Sequence, residues 1–375
     1  MTATTPPVRI WASGGPYERG EQIGRQTADQ VRRSITIYDE TFQHHTGRGW
    51  ADIRGYAAAY VPAITGYDPD IVPEMQGLAD GAGVTFEDVL ALNTRTEVMF
   101  GLKQAGWSEC TAFGVTGARA GGRVLVGQNW DWRPATAATS VLLECAPSAD
   151  PAFVTYVEAG LLAKIGYNAA GVGVMANLLI TDQDRGRPGV PFHVVLRRLF
   201  KARTLAEAVE AVRLANRSAS ANYLLADAGG EIVDLETGPG GVDTIQRIDP
   251  SDGIVCHANS FCTPLPGTVD LGLEALPDSP HRRGRLESLI ADEPGEVTPE
   301  RLCTFLRDHD GHPGSICRHP DPSQHPVERL ATNASLVVDL AARRMWLAPG
   351  PPCTTVHEMI TPDFASRMTS AGERR

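Results

Sequence analysis

The chain has 375 residues, of which 42% are hydrophobic and 21% are charged, and its formal net charge is −11 at pH 7. This composition is typical of a folded globular protein with enough apolar material for a large core. The acidic balance argues against a general binder of nucleic acid or of anionic membranes, because such a binder needs a basic face. The sequence also has no run of the ~18 apolar residues that a membrane span requires.

The first residues and the cysteines bear on the compartment of the protein. The stretch from Met1 to Trp11 lacks the basic start and apolar core of a signal peptide. The 7 cysteines are odd in number and are scattered from Cys110 to Cys353, which does not suggest a disulfide framework. We therefore expect a cytoplasmic protein whose thiols are free.

The first 109 residues are predicted to be mainly helical. Apolar residues recur at helical spacing in three stretches, 17–45, 51–64 and 69–82. Thr85, with Asp88 three positions later, predicts an N-cap for a further helix that runs to Met99. The glycine-rich opening at 14–24 lacks the G-K-[ST] ending of a phosphate-binding loop, which argues against nucleotide binding.

From Cys110 onward the pattern changes to strands. Cys110 opens an apolar segment, a glycine-rich turn follows at 118–122, and a second apolar segment then returns, which predicts a β-hairpin. Such a hairpin brings Asp131 back beside Cys110, so that a thiol and a carboxylate share one site. The alternative is a buried cysteine on a core strand. The polar residues at 128–133, interleaved with tryptophans, are unusual for a plain core strand.

The rest of the chain mixes strands and helices. Strands are predicted at 142–145, 153–158, 161–167, 172–179, 221–226, 231–235, 254–258, 335–340 and 344–347. Helices are predicted at 191–202, 205–215, 280–290 and 299–308. Thr204 and Glu207 form a capping-box pattern before the second of these helices, and the tail after Asp363 is expected to fray. Because we find neither a repeat nor a linker, periodicity predicts one α+β domain.

Several motifs together resemble a known family. The stretch W-S-E-C-T-A-F-G-V-T at 107–116 is followed by G-Y-N-A-A-G-V-G-V-M-A-N-L-L at 166–179, H-A-N-S at 257–260 and L-R-D-H-D-G-H-P-G-S-I-C-R-H at 306–319. In this order they resemble the acyl-coenzyme A:6-aminopenicillanic acid acyltransferase (isopenicillin N acyltransferase) family. Its members are N-terminal nucleophile (Ntn) hydrolases that are made as inactive precursors. The resemblance implies a four-layer αββα sandwich.

The resemblance also implies that the chain cuts itself between Glu109 and Cys110. Residues 1–109 would then be a small subunit and residues 110–375 the large subunit that carries the nucleophile, together forming one globular domain. The Cys110 thiol would attack the carbonyl of Glu109, and water would resolve the thioester. The freed α-amino group, with a reference pKa of about 7.7–8.0, would serve as the base for its own thiol. The family often has Gly before this bond, so Glu109 departs from its pattern.

The matched motifs carry the other catalytic candidates. Asp131 would hold the nucleophile by accepting hydrogen bonds from its ammonium group or from neighbouring amides. Asn177 and Asn259 would donate their side-chain amides to the oxyanion of a tetrahedral intermediate. Without the resemblance, these residues would be interpreted as a turn aspartate and as loop or capping asparagines.

Four further residues are candidate substrate contacts: Trp130, Arg282, His309 and Arg318. Arg282 would bind a substrate carboxylate or position the new terminus, and membership of a surface basic cluster is the alternative. The loop at 309–319 also contains metal-ligand residue types, namely His309, His312, Cys317 and His319. Because Pro and Gly interrupt this loop, we expect no metal there. The resemblance implies that the loop lines the substrate pocket.

These inferences predict an enzyme that cleaves or forms an amide bond through a Cys110 acyl-enzyme. Its substrate would be a small-molecule amide or acyl thioester; no cofactor is expected, although acyl-CoA could serve as the acyl donor. One alternative is an uncleaved thiol hydrolase with a histidine base such as His257. Another is a catalytically silent binding protein of the same fold. The acyl group and its acceptor do not follow from the sequence, because many substrates share such a fold and nucleophile.

Overall fold

Two stacked β-sheets form the centre of the molecule. The computed structural model describes residues 7–102 and 109–364. Within these residues the α-helices are α1 (Pro16–Gln26), α2 (Ala28–Thr46), α3 (Trp50–Ala57), α4 (Val61–Tyr67), α5 (Ile71–Ala82), α6 (Phe86–Asn93), α7 (Arg95–Gly101), α8 (Phe192–Leu199), α9 (Leu205–Leu214), α10 (Gly272–Ala275), α11 (Ser279–Ala291) and α12 (Pro299–Phe305). The strands are β1 (Val8–Gly14), β2 (Glu109–Val115), β3 (Leu125–Trp132), β4 (Ser140–Pro147), β5 (Phe153–Glu158), β6 (Ile165–Asn168), β7 (Val172–Leu178), β8 (Ala221–Asp227), β9 (Ile232–Thr237), β10 (Ile245–Ile248), β11 (Ile254–His257), β12 (Ala331–Asp339), β13 (Arg344–Ala348) and β14 (Glu358–Ile360).

The sheets and helices are arranged in four layers. The larger sheet has the strand order β1-β4-β5-β6-β7-β8-β9-β10, and the smaller has the order β11-β2-β3-β12-β13-β14. Strands β2 and β3 of the smaller sheet contact β7 of the larger one, so the sheets pack face to face. Helices α1 and α9 contact the larger sheet, while α11 and α12 contact the smaller one. This αββα arrangement confirms the fold class predicted from the sequence.

Three strands were missed by the sequence prediction, and each lies at the end of a sheet. β1 belongs to the segment that we predicted to be mainly helical, yet it pairs in parallel with β4 from Val8↔Val141 to Gly14↔Pro147. β10 and β14 also lie at sheet ends, and both are short. An edge strand buries few side chains, so it shows little of the apolar alternation by which a strand is recognised.

The predicted helices and caps are largely present, with local differences. The predicted helix over 17–45 is interrupted at Thr27, between α1 and α2. Before α6, Thr85 and Asp88 form the predicted reciprocal capping box. The second predicted box is only half formed, because Thr204 accepts from the Glu207 amide whereas the Glu207 carboxylate accepts from the Arg203 amide.

The glycines near the start of the chain allow two helices to pack closely. On α1, an added Cβ at Gly20 would lie 2.1 Å from the Glu74 carbonyl oxygen of α5. On α5, an added Cβ at Gly77 would lie 2.1 Å from the Tyr17 carbonyl oxygen of α1. Both separations are too short for any side chain, so these glycines serve helix packing.

The hairpin predicted around Cys110 is formed by β2 and β3. Its antiparallel register places Glu109 opposite Asp131, and Cys110 opposite Trp130. The turn ends in Gly121 and Gly122, with φ angles of 61° and 79°, in the left-handed region that favours glycine. Strand β3 is buried along its whole length, between β2 and β12 and between the layers.

Two remaining expectations concern the tail and membranes. We predicted that the tail frays after Asp363. Residues 365–375 of this tail lie outside the described residues. Among the described helices, none combines the length and apolar character needed to cross a membrane.

Candidate active site

Cys110 lies near the start of β2, and side chains from other parts of the fold hold the backbone on both sides of it. Its backbone N–H donates to Asn259 Oδ1 at 2.8 Å. Its carbonyl oxygen accepts from Arg282 Nη1 at 2.7 Å. The residue is buried, with 2% of its surface exposed. The position of the thiol is therefore fixed through the backbone as well as by packing.

Asn259 lies two residues after the end of β11, the strand that pairs with β2, which explains how it reaches Cys110. Besides the Cys110 nitrogen, its Oδ1 accepts from Arg282 Nη2 at 3.1 Å, and its Nδ2 donates to the Leu178 carbonyl at 2.9 Å. The acceptor end of this amide thus faces the backbone nitrogen of Cys110. These contacts favour a positioning role, and the predicted donation to an oxyanion stays a prediction.

Arg282 is completely buried, so the alternative of a surface basic cluster is wrong. It also donates from Nη1 to Thr111 Oγ1 at 2.8 Å and from Nε to Asp278 Oδ2 at 3.1 Å. On α11 it shares a buried face with Leu286 and Ile290, at a spacing of four residues. That spacing marks which arginine of the motif S-P-H-R-R-G-R points inward.

Asp131 lies beside the predicted cleavage bond, because it is the register partner of Glu109. Its Oδ1 accepts from Thr332 Oγ1 at 2.6 Å, while its buried Oδ2 has no hydrogen-bond partner among the described residues. Burial raises the pKa of Asp131 to about 6, against the opposing charges of Arg282 and Arg318. One buried carboxylate oxygen therefore remains available to a nearby donor.

The thiol of Cys110 is in an environment that keeps it protonated in the uncleaved chain. Burial raises its pKa to about 11; the charge of Lys164 lowers it, the charge of Asp131 raises it, and hydrogen bonds from the Asp131 backbone amide and the Gln128 side chain lower it. A thiol with this pKa is a weak nucleophile at neutral pH.

Lys164 is a site residue that the sequence analysis missed. Its Nζ lies 3.9 Å from the centroid of the Trp130 ring and 4.0 Å from Glu158 Oε1. Burial lowers the pKa of Lys164 to about 8, although Glu158 opposes this shift. A lysine within the otherwise apolar run G-L-L-A-K-I-G is the signal that could have revealed it.

Asn177 lies on β7, where the two sheets meet. Gln128 of β3 donates to the Ala176 carbonyl at 2.8 Å and accepts from the Ala176 amide at 3.0 Å. On the other side of Asn177, the Leu178 carbonyl accepts from Asn259. Both polar atoms of the buried Asn177 side chain lack a hydrogen-bond partner in the described part of the chain. Such an amide is free to donate to a ligand.

The other predicted substrate contacts are spread over the site and its surroundings. Trp130 is fully buried opposite Cys110, and its ring forms a T-shaped contact with Tyr156. The Arg318 side chain forms an ion pair with Asp278. His309 is exposed, and its Nε2 lies 3.0 Å from that of His319, outside the network around Cys110. Their roles in substrate binding stay predictions.

His257, the base of the alternative mechanism, is already engaged on both ring nitrogens. Nε2 is 2.8 Å from Glu236 Oε1, and Nδ1 is 2.8 Å from the Ala258 carbonyl oxygen. Burial alone would lower the pKa of His257, but the charge of Asp234 and hydrogen bonds to Cys262 and Glu236 raise it well above the usual value. An imidazole that donates from both nitrogens carries a proton on each and cannot accept another.

Two stacked sheets between layers of helices, as in this chain, are the αββα architecture of the Ntn-hydrolase fold. The family model of acyl-coenzyme A:6-aminopenicillanic acid acyl-transferase matches residues 118–352. The chain belongs to this family of acyltransferases, as its motifs predicted.

Among characterised relatives, the chain is 27% identical to the 40 kDa form of acyl-coenzyme A:6-aminopenicillanic-acid-acyltransferase from Emericella nidulans, over 92% of this chain and 93% of that protein. Two solved structures are more distant. A conjugated bile acid hydrolase from Clostridium perfringens has a TM-score of 0.43 at 12% identity, covering 67% of this chain and 96% of that one. A penicillin V acylase from Agrobacterium tumefaciens has a TM-score of 0.38 at 14% identity, covering 64% and 83%.

Proposed function

We propose that this protein is a self-processing acyltransferase or amidohydrolase in which Cys110 becomes an N-terminal nucleophile. The observation that carries the proposal is the 2.8 Å hydrogen bond from the Cys110 backbone nitrogen to Asn259 Oδ1. Cleavage of the Glu109–Cys110 bond would turn that nitrogen into an α-amine that is already held beside its own thiol. An amine in this position can take the thiol proton near neutral pH.

Processing would use the same thiol. Cys110 Sγ attacks the carbonyl carbon of Glu109, its proton passes to the departing amide nitrogen, and the C–N bond breaks to leave a thioester. Water then hydrolyses the thioester, which frees the Glu109 carboxylate and the thiol. Asp131, the register partner of Glu109, has a buried carboxylate oxygen within this region that could accept from the new ammonium group. Residues 1–109 would remain as the small subunit of one globular domain.

Turnover would then proceed through a Cys110 acyl-enzyme. The thiolate attacks an amide or acyl thioester, the amine or thiol of the substrate leaves, and the acyl group passes to water or to an acceptor amine. Asn177, whose buried amide has no hydrogen-bond partner among the described residues, is the better candidate of the two asparagines for the oxyanion donor. The names of the family and of the Emericella nidulans relative support acyl-CoA as a donor substrate. The 7 cysteines, all within the described residues, are unpaired, which supports a reducing cytoplasm.

The uncleaved cysteine–histidine alternative is less well supported, because both nitrogens of His257 already face acceptors. The Asn177 amide and one carboxylate oxygen of Asp131 have no partner in the described part of the chain, and a catalytically silent protein of the same fold would give these buried atoms no ligand to bind. Buried polar atoms without partners are costly, which favours a site that binds a ligand.

The test is the intact mass of the purified protein, followed by a substrate panel. Wild type should give two chains of 109 and 266 residues, the latter being 375 − 109, and Cys110→Ala should give one. The wild type should also release acyl groups from a panel of N-acyl amides and acyl-CoA donors. Cleavage of Cys110→Ala at the same bond would overturn self-processing. If the wild type is active without being cleaved, and His257→Gln abolishes that activity, the cysteine–histidine mechanism would be supported in place of self-processing.

A further inference from the structure

Four side chains with metal-binding atoms converge at one place outside the network around Cys110. The imidazole nitrogens and thiol sulfurs of this group all lie within 4.8 Å of one another; its members are His309, Cys317, His319 and Cys353. Three of them come from the loop after α12, and the fourth comes from the loop after β13. The sequence prediction of no metal considered only the first loop, because Cys353 is distant in sequence from it.

Hydrogen bonding does not account for this arrangement. His319 Nε2 is approached by His309 Nε2 at 3.0 Å, by Cys353 Sγ at 3.4 Å and by Cys317 Sγ at 3.8 Å. A neutral imidazole nitrogen offers either one N–H or one lone pair, so it can form one good hydrogen bond with three such neighbours. The other two neighbours would lie close to this nitrogen without forming a favourable hydrogen bond.

A shared metal ion accounts for the same distances. Tetrahedral zinc has Zn–N bonds of about 2.0–2.1 Å and Zn–S bonds of about 2.3 Å. These lengths give edges of about 3.3 Å between two nitrogens and about 3.6 Å between nitrogen and sulfur. The three separations from His319 Nε2 differ from these edges by only a few tenths of an ångström. Two imidazoles and two thiolates are also a ligand set that zinc commonly takes in proteins.

We propose that His309, Cys317, His319 and Cys353 bind one zinc ion in a closed, structural site. Four protein ligands leave no open position for substrate, which distinguishes this site from a catalytic one. The ion would join the loop after α12 to the loop after β13. It would also fix Arg318, which lies between two ligands, forms an ion pair with Asp278 and contributes its charge to the surroundings of Asp131. The proposal does not depend on self-processing or on the acyl-enzyme mechanism.

The test measures zinc bound to the full-length protein, produced without a histidine tag and exchanged into metal-free buffer. Elemental analysis should find about one zinc per chain, and His309→Gln and Cys353→Ser should each lower it to under about a tenth. Because His309 is exposed, its replacement should not itself prevent folding. His312→Gln is the matched control, since its ring lies near His309 and His319 but outside the four-atom group, and it should retain the zinc.

A second measurement uses cobalt(II) in place of zinc, because cobalt bound to thiolates in a tetrahedral site absorbs strongly in the visible range. The spectrum should show thiolate ligation in the wild type and in His312→Gln, and lose it in Cys353→Ser. The proposal is overturned if the folded wild type binds no zinc when equimolar zinc is supplied. It is also overturned if His312→Gln loses zinc as His309→Gln does, or if peptide mapping of freshly purified protein finds Cys317 and Cys353 joined as a disulfide.

Discussion

At the scale of single residues, two asparagines that we predicted to share one role have different surroundings. Asn259 is engaged at both ends of its amide, with the Cys110 nitrogen, Arg282 and Leu178 as partners. Asn177 is equally buried, yet neither of its polar side-chain atoms has a partner within residues 7–102 and 109–364. Removing the first side chain breaks existing hydrogen bonds, whereas removing the second breaks none that the structure describes.

We therefore expect different results from the two alanine variants. Asn177→Ala should lower kcat by roughly 10²–10³, the usual loss for an oxyanion donor, with little change in Tm. Asn259→Ala should slow both self-cleavage and turnover and should also lower Tm, because it removes three hydrogen bonds between buried groups. Steady-state kinetics and thermal melts of both variants check this. Wild-type turnover by Asn177→Ala would remove that residue from the site.

The thiol of Cys110 gives a second prediction at this scale. With a pKa of about 11, only about one thiol in 1,000 is ionised at pH 8 in the uncleaved environment. A free α-ammonium group on Cys110 would add a positive charge next to the sulfur and lower that pKa. The experiment would use two forms of the large fragment, residues 110–375, each combined with residues 1–109. The free form begins at Cys110, and the blocked form carries one uncleavable extra residue before Cys110.

The blocked form should react with iodoacetamide at a rate that still rises at pH 9, and it should turn over little. The free form should react faster at pH 7–8, and its kcat/KM should rise through a single ionisation of an amine or a coupled amine–thiol pair. Mass spectrometry follows the label on the Cys110 peptide. Identical pH profiles for the two forms would show that the amine does not control the thiol.

At the scale of elements, the contact between the sheets depends on an incomplete strand pairing. Among the described residues, β6 pairs with β7 only at Gly173 and Val174, so the backbone of Ala176 has no described strand partner on that side. The Gln128 side chain satisfies both its N–H and its carbonyl from the other sheet. A side chain of β3 thus takes the place of a neighbouring strand and fixes β7, with Asn177, against the strand hairpin that carries Cys110.

Replacing this glutamine should weaken the whole sandwich. We expect Gln128→Ala to lower the free energy of unfolding by about 2–5 kcal/mol, because two buried backbone groups lose their partners and a cavity remains. Gln76→Ala is the control: this side chain bonds an exposed aspartate, Asp80, and its loss should cost under about 0.5 kcal/mol. Urea denaturation measures both. Equal stability of the two variants would contradict the importance of this contact.

At the scale of the whole molecule, buried ion pairs join the two segments on either side of the predicted cleavage bond. Glu74 of α5 accepts from Arg197 Nε and Nη2 of α8, each at 3.0 Å, and from Arg19 Nη2 of α1 at 2.6 Å. All three side chains are almost completely buried. Together with the pairing of β1 and β4, these bonds would hold the fragments together after the cut.

Neutralising this carboxylate should destabilise the folded protein strongly. Burial opposes the charge of Glu74, but Arg197 and Arg19 lower its pKa below the ordinary value of 4.5. A lowered pKa means that the contribution to stability is complete above pH 4.5 and is lost as the pH falls further. We expect Glu74→Gln to cost about 3–5 kcal/mol at pH 7, because two buried guanidinium groups lose their counter-ion.

The control for this variant is Glu210→Gln, which removes a half-exposed ion pair with Arg213 and should change stability by less than about 0.5 kcal/mol. Denaturant unfolding at pH 7 and pH 4 measures both variants. The difference between wild type and Glu74→Gln should begin to shrink at pH 4, because the Glu74 carboxylate of the unfolded wild type starts to bind a proton below its ordinary pKa of 4.5. A difference that grows on acidification would contradict a lowered pKa of Glu74.

The sequence by itself determined the mixture of helices and strands, the hairpin around Cys110 and the family. Long segments with clear apolar periodicity identified most helices and the inner strands, and the glycine turn after Cys110 fixed the hairpin that places Asp131 near the thiol. The unusual motifs fixed the family. These features are local, or nearly so, and are therefore visible in one stretch of chain.

Only the tertiary structure decided which distant side chains meet. Edge strands such as β1 have too few buried residues to leave a pattern, and the burial of Arg282 depends on the packing of α11 against the smaller sheet. Cys353 lies close to His309 and His319 of another loop only in the folded chain. Hydrogen bonds and side-chain clusters of this kind depend on distance in space, which sequence separation does not encode.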